Sequence, residues 1–182
     1  MKIPRTLSHR AARGRIGPEI ATEIAGFWPE FRVRARGHAP AQLDMLNKSA
    51  TKRKLTRKEQ RDLDIEITFM EGVLQRDGAY SEAWKVLAED YSRRSRFKDG
   101  LEADEKLAQL HPEDPEVLYN LACSYSLTKN VERAVETLTR SIGKGFSDFK
   151  WMLRDPDLVY LRRDPIFKKI WVAISALQAG VH

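Results

Sequence analysis

Residues 115–142 read PEVLYNLACSYSLTKNVERAVETLTRSI. Two amphipathic segments flank a short polar turn at residues 128–130, which is the pattern of a helix–turn–helix hairpin. The first segment follows Asp114-Pro115, and this pair is a strong helix-start signal. Asp caps the free backbone N–H groups, and Pro lacks only an N–H that would have no helical partner there. The stretch therefore predicts two helices joined by a tight turn.

The same skeleton recurs 34 residues earlier in the chain. The matching positions are Trp84 with Leu118, Leu87 with Leu121, Ala88 with Ala122, Tyr91 with Tyr125, and Gly100 with Ala134. A fixed period of this length indicates stacked helical repeats, in which small residues allow close helix contact and large residues fill the surrounding space. The chain is predicted to be all-α: a short helical-repeat solenoid of about two helix–turn–helix units, with capping helices at both ends.

The two capping regions are predicted from apolar patterning. A long helix from Thr56 carries one apolar stripe, formed by Leu63, Ile67, Met70 and Leu74. After residue 142 comes FSDFKWMLRDPDLVYLRRDPIFKKIWVAIS, in which two further Asp-Pro pairs are expected to begin short helices. A two-repeat array exposes an apolar end, and the large side chains of this segment are expected to cover it. Asp104 stands where the pattern favours a large apolar residue and is expected at an exposed edge.

A family resemblance rests on these motifs. The first repeat matches W-x2-L-G-x2-Y with Ala in place of Gly, and the later runs are YNLACSYSL, RAVETLTRSI and W-x3-DPDL-x2-L-x2-DP-x-F. Over about residues 55–175 the chain resembles the bacterial tetratricopeptide-repeat (TPR) proteins that end in an "end-of-group" segment. The resemblance implies that the last segment closes a short repeat array. It also implies a scaffolding role, but no reaction and no particular ligand.

Charge divides the chain into regions. Residues 1–54 hold 12 Lys/Arg against 4 Asp/Glu, whereas the remainder holds 20 against 22. The basic first third, rich in Pro and Gly, buries too little apolar surface to offset its ordering entropy. It is predicted to be a mostly disordered tail, followed by repeats over residues 55–147 and capping helices over residues 148–182. Within the tail, PEIATEIAGFW at residues 18–28 is expected to form a short helix docking on the protein's own body, or alternatively a partner-binding or membrane-surface helix.

Motifs for catalysis, metals and cofactors are absent from the sequence. The four histidines are His9, His38, His111 and His182. They lack metal-ligand spacing to one another or to the single cysteine, Cys123, which lies within an amphipathic helix. We find no P-loop, nucleophile elbow or dinucleotide-binding pattern. The protein is therefore expected to be no enzyme and to use no cofactor or metal. No apolar run approaches the roughly 20 residues of a membrane span, and no secretory signal core is present, so a cytoplasmic location is expected.

A groove is the binding surface that the resemblance implies. In TPR proteins the first helix of each pair lines the concave face, which here implies a peptide-binding groove formed by Lys85, Glu89, Tyr119, Asn120, Cys123 and Ser126. Lys85 and Asn120 match two positions of the clamp that some members use for peptide C-termini. Glu89 replaces the expected Asn, and no third full repeat supplies the remaining basic residues. A surface that is merely solvated, or filled by the chain's own tail, is the alternative.

Two functional hypotheses from different classes remain open at this point. The first is a non-catalytic protein–protein interaction adaptor or scaffold whose concave groove binds a peptide or helix. The alternative is a nucleic-acid-associated accessory factor that binds through the basic residues 1–54. The two differ in salt response, because phosphate contacts make affinity fall steeply with salt concentration.

Overall fold

The structure, a computed structural model, describes residues 54–179, with side chains as far as Val172. In chain order its elements are α1 (Arg57–Arg76), α2 (Ser81–Arg93), α3 (Phe97–Leu110), α4 (Pro115–Leu127), α5 (Val131–Gly143), α6 (Phe149–Met152), a 3₁₀ turn (Pro156–Leu158), α7 (Val159–Arg163) and α8 (Pro165–Ala179). No strand occurs in these residues, which confirms the all-α prediction. The predicted tail lies outside the described residues except for Lys54, and the predicted helix at residues 18–28 lies wholly outside them.

The helices begin where the sequence places their caps. Thr56 and Glu59 form a capping box at the start of α1, each side chain accepting a hydrogen bond from the backbone N–H of the other residue at 3.2 and 2.8 Å. All three Asp-Pro pairs begin a helix, as predicted. Asp114, Asp155 and Asp164 each accept from the N–H two residues further on, at 2.8, 2.9 and 2.9 Å.

Two helix pairs, α2 with α3 and α4 with α5, stack in sequence order, and α1 packs on α2. The close contact within the first pair is at Gly100, where an added Cβ would lie 3.5 Å from the Ala88 carbonyl oxygen. The corresponding residue of the second pair, Ala134, is fully buried. The small residues therefore lie where the 34-residue pattern predicts close helix approach.

The turn inside each repeat has the same geometry. Ser95 and Lys129, which are 34 residues apart, both have a left-handed backbone, with φ of 60° and 64°. Arg96 N donates to Tyr91 O at 2.8 Å, and the corresponding bond in the second repeat is 2.9 Å. These bonds close the end of the first helix in a Schellman arrangement. The two repeats therefore share the backbone conformation of the turn as well as the side-chain pattern.

Neighbouring repeats are joined by equivalent hydrogen bonds. Tyr91 donates its hydroxyl to Glu71 on α1, and Tyr125 donates to Glu105 on α3, both at 2.6 Å. Burial, followed by the hydrogen bond to the carboxylate, raises the pKa of both tyrosines above 10.0. Both hydroxyls therefore stay protonated donors across the ordinary pH range.

Asp104 differs from its prediction. It is fully buried between α3 and α4 rather than exposed at an edge, and it accepts a hydrogen bond from Ser124 Oγ at 2.5 Å. The exposed-edge expectation is wrong because the facing helix supplies a hydroxyl donor. A buried carboxyl becomes tolerable where a polar partner satisfies it.

The C-terminal segment packs against α4 and α5. Its apolar side chains Met152, Leu158, Leu161 and Phe167 are fully buried in one cluster with residues of both helices. This cluster therefore joins the C-terminal segment to the second repeat. At the other end of the stack, α1 occupies the open side of α2 with Leu63 and Ile67 buried.

Candidate functional site: the inward faces of α2 and α4

The predicted groove residues lie on corresponding faces of α2 and α4, but the two faces differ in accessibility. On α2, Lys85 and Glu89 remain partly exposed. On α4, Tyr119, Cys123 and Ser126 are buried to 1% exposure or less. Lys85 and Glu89 correspond to Tyr119 and Cys123 at the 34-residue spacing, so equivalent positions have opposite environments.

Tyr119 lies inside the protein rather than on a groove surface. Its hydroxyl donates to Asp155 Oδ2 at 2.8 Å, and its ring stacks on Phe146 at a centroid distance of 4.1 Å. Burial, with the nearby Cys123 thiol and Asp155 carboxyl, raises the pKa of Tyr119 well above 10.0. This tyrosine is therefore a packed hydrogen-bond donor held by the C-terminal segment.

The remaining α4 residues are covered by the same segment. Ser126 Oγ accepts a hydrogen bond from Leu161 N at 3.3 Å, and Cys123 Sγ lies 3.6 Å from Asp155 Oδ2. Asn120 is 8% exposed. The expectation of a solvent-facing surface is wrong for these four α4 residues, which are buried where the 3₁₀ turn and α7 pack onto α4. The groove of the second repeat is filled by the chain's own C-terminal segment.

Asp155 is the polar centre of this closure. Its Oδ1 caps the 3₁₀ turn, while its Oδ2 accepts from Tyr119 and from Trp151 Nε1 at 3.0 Å. Burial raises the pKa of this carboxyl, the nearby Asp157 raises it further, and hydrogen bonds from Asp157 N and the Tyr119 hydroxyl oppose the rise. The sequence identified Asp155 as a cap through its Asp-Pro pair, but it carried no sign of the contact with α4.

Arg162 is buried beside this carboxyl. Its side chain is 2% exposed and donates to the backbone carbonyl of Asp155, and Nη1 also lies 3.5 Å from Met152 O. Burial lowers the pKa of the guanidinium, although the neighbouring Asp155 opposes that shift. A buried arginine bonded to main-chain carbonyls ties α7 to the segment between α6 and the 3₁₀ turn.

One face of α2 stays partly or fully exposed among the described residues. It is formed by Glu82, Lys85, Val86, Glu89 and Arg93, which recur at helical spacing. Lys85 Nζ lies 2.7 Å from Glu82 Oε1, so part of the charge on this face is already paired. The surface therefore combines both charge signs around a small apolar centre. We refer to these five residues as the open α2 face.

A buried carboxyl underlies the open α2 face. Asp90 is 3% exposed, and it lies near Glu66 on α1 and near Glu89 and Arg93 on its own helix. Its Oδ1 lies 3.4 Å from Arg93 Nη1. Burial, and then the neighbouring Glu66, raise the pKa of Asp90 to about 7, while Arg93 opposes the rise. The α1–α2 contact thus contains a carboxyl that titrates near neutral pH.

The described residues contain no group of three or more His, Cys, Asp and Glu placed to hold a metal ion. Ser81 Oγ lies 2.7 Å from His111 Nε2, but both side chains are at the exposed connection between repeats. Within residues 54–179 no helix is long and apolar enough to cross a bilayer.

Comparison with known proteins gives partial likenesses, and no family model matches the chain. The chain is 33% identical over 86 residues to a chloroplastic protein of Arabidopsis thaliana, covering 43% of this chain and 26% of that protein. It is 39% identical over 72 residues to the "Peroxisomal targeting signal receptor" of Candida albicans, covering 40% and 12%. With the "PEX5-related protein" of Mus musculus it shares 27% identity over 107 residues, covering 59% and 17%.

The chain thus spans about a quarter or less of the length of each of these relatives. The likeness to the two PEX5-type proteins, together with the paired helices, fits a TPR-like protein. It favours protein partners and a protein-interaction role of the TPR type.

Proposed function

We propose that the protein is a non-catalytic adaptor that binds a peptide segment or helix of another protein on the open α2 face. The observation that supports this is the difference in burial between α2 and α4, the first helices of the two repeats. The inward face of α4 is closed by the chain's own C-terminal segment, whereas the corresponding face of α2 is accessible. The binding surface is therefore narrower than the six-residue groove that the sequence implies.

The chemistry of the open α2 face suits a polar ligand. Lys85 and Arg93 offer positive charge, Glu82 and Glu89 offer negative charge, and Val86 supplies an apolar contact between them. Complementary charges on a partner would select its register and orientation more than raise its affinity. With so small a footprint, a dissociation constant on the order of micromolar is expected, about −8 kcal/mol.

The name of one relative supports a ligand that is a recognition signal. The Candida albicans protein is by name a receptor for a targeting signal. Two finer features belong to the proposal: membership of the bacterial end-of-group type of TPR protein, and a cytoplasmic scaffold role. The closure of α4 by a segment holding two Asp-Pro starts supports the first, since that type ends its array with such a segment.

A charge-swap experiment tests the proposed surface. Peptides are first selected against the immobilised full chain from a random-peptide library, and their affinities are then measured by titration calorimetry. The double variant Lys85→Glu with Glu89→Lys keeps net charge and an i,i+4 pair of opposite sign, but inverts the pattern on the open α2 face. We expect it to weaken binding by at least about tenfold, roughly 1.4 kcal/mol.

The matched control is Lys98→Glu with Glu102→Lys on α3. These residues have the same spacing and are both exposed, but they lie on the second helix of the repeat. Binding should be unchanged in this control, and both variants should melt close to the wild-type temperature. Equal affinity of the α2 swap and the wild type for the selected peptides would refute the open α2 face as the binding site.

The second candidate function follows from the net charge of +8 on residues 1–54. A nucleic-acid-associated factor that uses this basic region would bind single- or double-stranded oligonucleotides with an affinity that falls steeply between about 50 and 200 mM salt. Removal of residues 1–53 would abolish that binding, whereas the α2 charge swap would leave it intact. Oligonucleotide titrations of these two variants therefore separate the two functions.

A further inference from the structure

The outer face of α1 carries apolar side chains that no element within residues 54–179 covers. Ile65 is 63% and Phe69 66% exposed, and they lie one helical turn apart. The partly exposed Val73 continues the stripe. At 100° per residue this stripe lies nearly opposite Leu63 and Ile67, the buried residues of α1. α1 is therefore apolar on two sides, and the rest of the range 54–179 packs against one of them.

The repeat pattern shows which helix contact the exposed side of α1 corresponds to in the complete repeats. Phe69 corresponds to Ala103 in α3 and to Thr137 in α5 at the 34-residue spacing. Those two residues are 1% and 5% exposed. Ala103 belongs to the cluster that contains Ala88 and Tyr91, so it packs on the first helix of its own repeat. α1 thus presents the corresponding face of a second repeat helix with no first helix against it in the described part of the chain.

The missing contact is not supplied by a contiguous helix in register. In the complete first repeat, residues 94–96 form the turn between α2 and α3. The corresponding residues 60–62 lie inside α1, so the helix continues where the complete repeat has a turn. A helix that covers Phe69 therefore has to reach this face from elsewhere.

We propose that a second copy of this chain covers the face, with the two α1 helices packed antiparallel about a two-fold axis at Phe69. In this arrangement the residues at equal distances before and after Phe69 face one another. Ile65 lies against Val73 of the second copy, and Asp62 lies against Arg76 of the second copy. Two apolar contacts and two ion pairs thus flank a central Phe–Phe contact.

The spacing of this face suits helix pairing. Asp62, Ile65, Phe69, Gly72 and Arg76 recur at steps of three and four, the pattern of a two-helix seam. Gly72 has no atom within 4 Å of its Cβ position, which lets the second helix approach this part of the seam closely. The seam therefore has one small residue on each side of the axis.

The charges select the antiparallel orientation. Asp62 and Arg76 are exposed, and neither forms an ion pair with another residue of the range 54–179. In a parallel pair, Asp62 would face Asp62 of the second chain and Arg76 would face Arg76, so like charges would repel. An antiparallel pair sets each against the opposite charge, so this orientation is favoured electrostatically.

The dimer is expected to be weak and dependent on concentration. Stable interfaces bury a total of about 1,200–2,000 Å², and a single helix pair of this length falls below that range. Dissociation on the order of micromolar or weaker is therefore expected. Sedimentation velocity on the full chain, from low to high micromolar concentration, measures it.

Charge reversal tests the register. In Arg76→Asp the new aspartate of each chain faces Asp62 of the other chain. Both ion pairs become repulsive, and dimerisation should weaken by at least about tenfold. Adding Asp62→Arg to the same chain restores opposite charges and should restore the dimer. Mixing the two single variants should likewise give a heterodimer. Arg140→Asp, on the exposed surface of α5, is the matched control and should dimerise like the wild type.

Cysteine cross-linking tests the position of the axis. Phe69→Cys places two thiols at the axis, so mild oxidation should yield a covalent dimer. Ile65→Cys places them four residues from the axis on each chain, about 12 Å apart, which is too far for a disulfide. The native Cys123 is fully buried and is common to both variants.

Three results would overturn the proposal. One is a wild-type chain that stays monomeric at all concentrations while Phe69→Glu lowers its melting temperature, which would indicate that residues 18–28 of the same chain cover the face. Another is a dimer that Arg76→Asp weakens but the double reversal does not rescue. The third is cross-linking through Ile65→Cys as efficient as that through Phe69→Cys.

Discussion

At the residue scale, Asp155 joins local and long-range structure through its two carboxylate oxygens. One oxygen caps the 3₁₀ turn, as in an ordinary Asp-Pro start. The other accepts hydrogen bonds from Tyr119 and Trp151, and Arg162 donates to the backbone carbonyl of the same residue. Because the Tyr119 hydroxyl is buried and the Trp151 indole partly buried, both depend on this carboxylate oxygen to replace hydrogen bonds that they would make with water.

We expect Asp155→Ala to lower the free energy of unfolding by about 3–5 kcal/mol, since it leaves buried donors without an acceptor beside a buried arginine. Asp114→Ala is the matched control, because Asp114 caps an equivalent Asp-Pro helix start at an exposed position. The control should cost about 0.5–2 kcal/mol, the value of a cap alone. Urea unfolding measures both, and equal losses would contradict the role of the buried carboxyl.

Asp90 predicts a pH dependence. Its pKa is about 7 in the folded protein against 3.8 for an ordinary Asp side chain, so the folded state holds the proton that the unfolded state releases. Its contribution therefore favours folding most at low pH, and this stability is lost as pH rises from about 4 through 7. Asp90→Asn cannot ionise, so its stability relative to wild type should rise over that window. Thermal melts from pH 4 to 8 measure the difference; a constant difference would contradict the shifted pKa.

At the element scale, the ends of α2 and α4 show how the repeat is built. Two residues after each helix comes a residue with positive φ, Ser95 or Lys129, and the second helix of the same repeat begins two residues further on. Non-glycine residues disfavour this conformation, and glycine is the usual choice at this position. The tight turn is thus retained at a local energetic cost because the packing of the helix pair requires it.

Ser95→Gly should raise the free energy of unfolding by about 0.5–1 kcal/mol, because it relieves the strain of the left-handed backbone. Ser95→Ala keeps the Cβ at φ 60° and should give no gain. Guanidinium unfolding of the two variants beside wild type separates relief of strain from loss of the serine hydroxyl. A gain in both variants would show that the hydroxyl, rather than the backbone, limits stability there.

At the scale of the whole molecule, the two ends of the described stack differ. At one end the C-terminal segment buries the inward face of α4, while at the other end α1 exposes Ile65 and Phe69. The open α2 face lies between these ends. One end is therefore closed by the chain itself, and the other leaves two large apolar side chains exposed.

Removal of residues 148–182 should expose Tyr119 and the apolar face of α4 and cause aggregation or loss of cooperative melting. The reason is that a two-repeat stack without this segment leaves its apolar side in water. Light scattering and calorimetry of the truncated protein measure this. A truncated protein that stays monomeric and melts like wild type would contradict the structural role of the C-terminal segment.

The sequence by itself determined the helices and their order. Spacing of apolar residues and the three Asp-Pro pairs are local signals, so the elements and the 34-residue register follow from residues close together in the chain. Close helix approach at the small residue Ala88 was also predicted, and Gly100 is the residue that the structure places against it.

Only the tertiary structure decided which faces are covered. Periodicity shows that Lys85 and Tyr119 occupy equivalent positions on α2 and α4. It does not show that Asp155, 36 residues after Tyr119, accepts the hydrogen bond of the Tyr119 hydroxyl. The burial of Asp104 likewise depends on a hydroxyl from the next helix. Burial is set by the element that packs on a face, and that partner is chosen by contacts between residues distant in sequence, which no local pattern records.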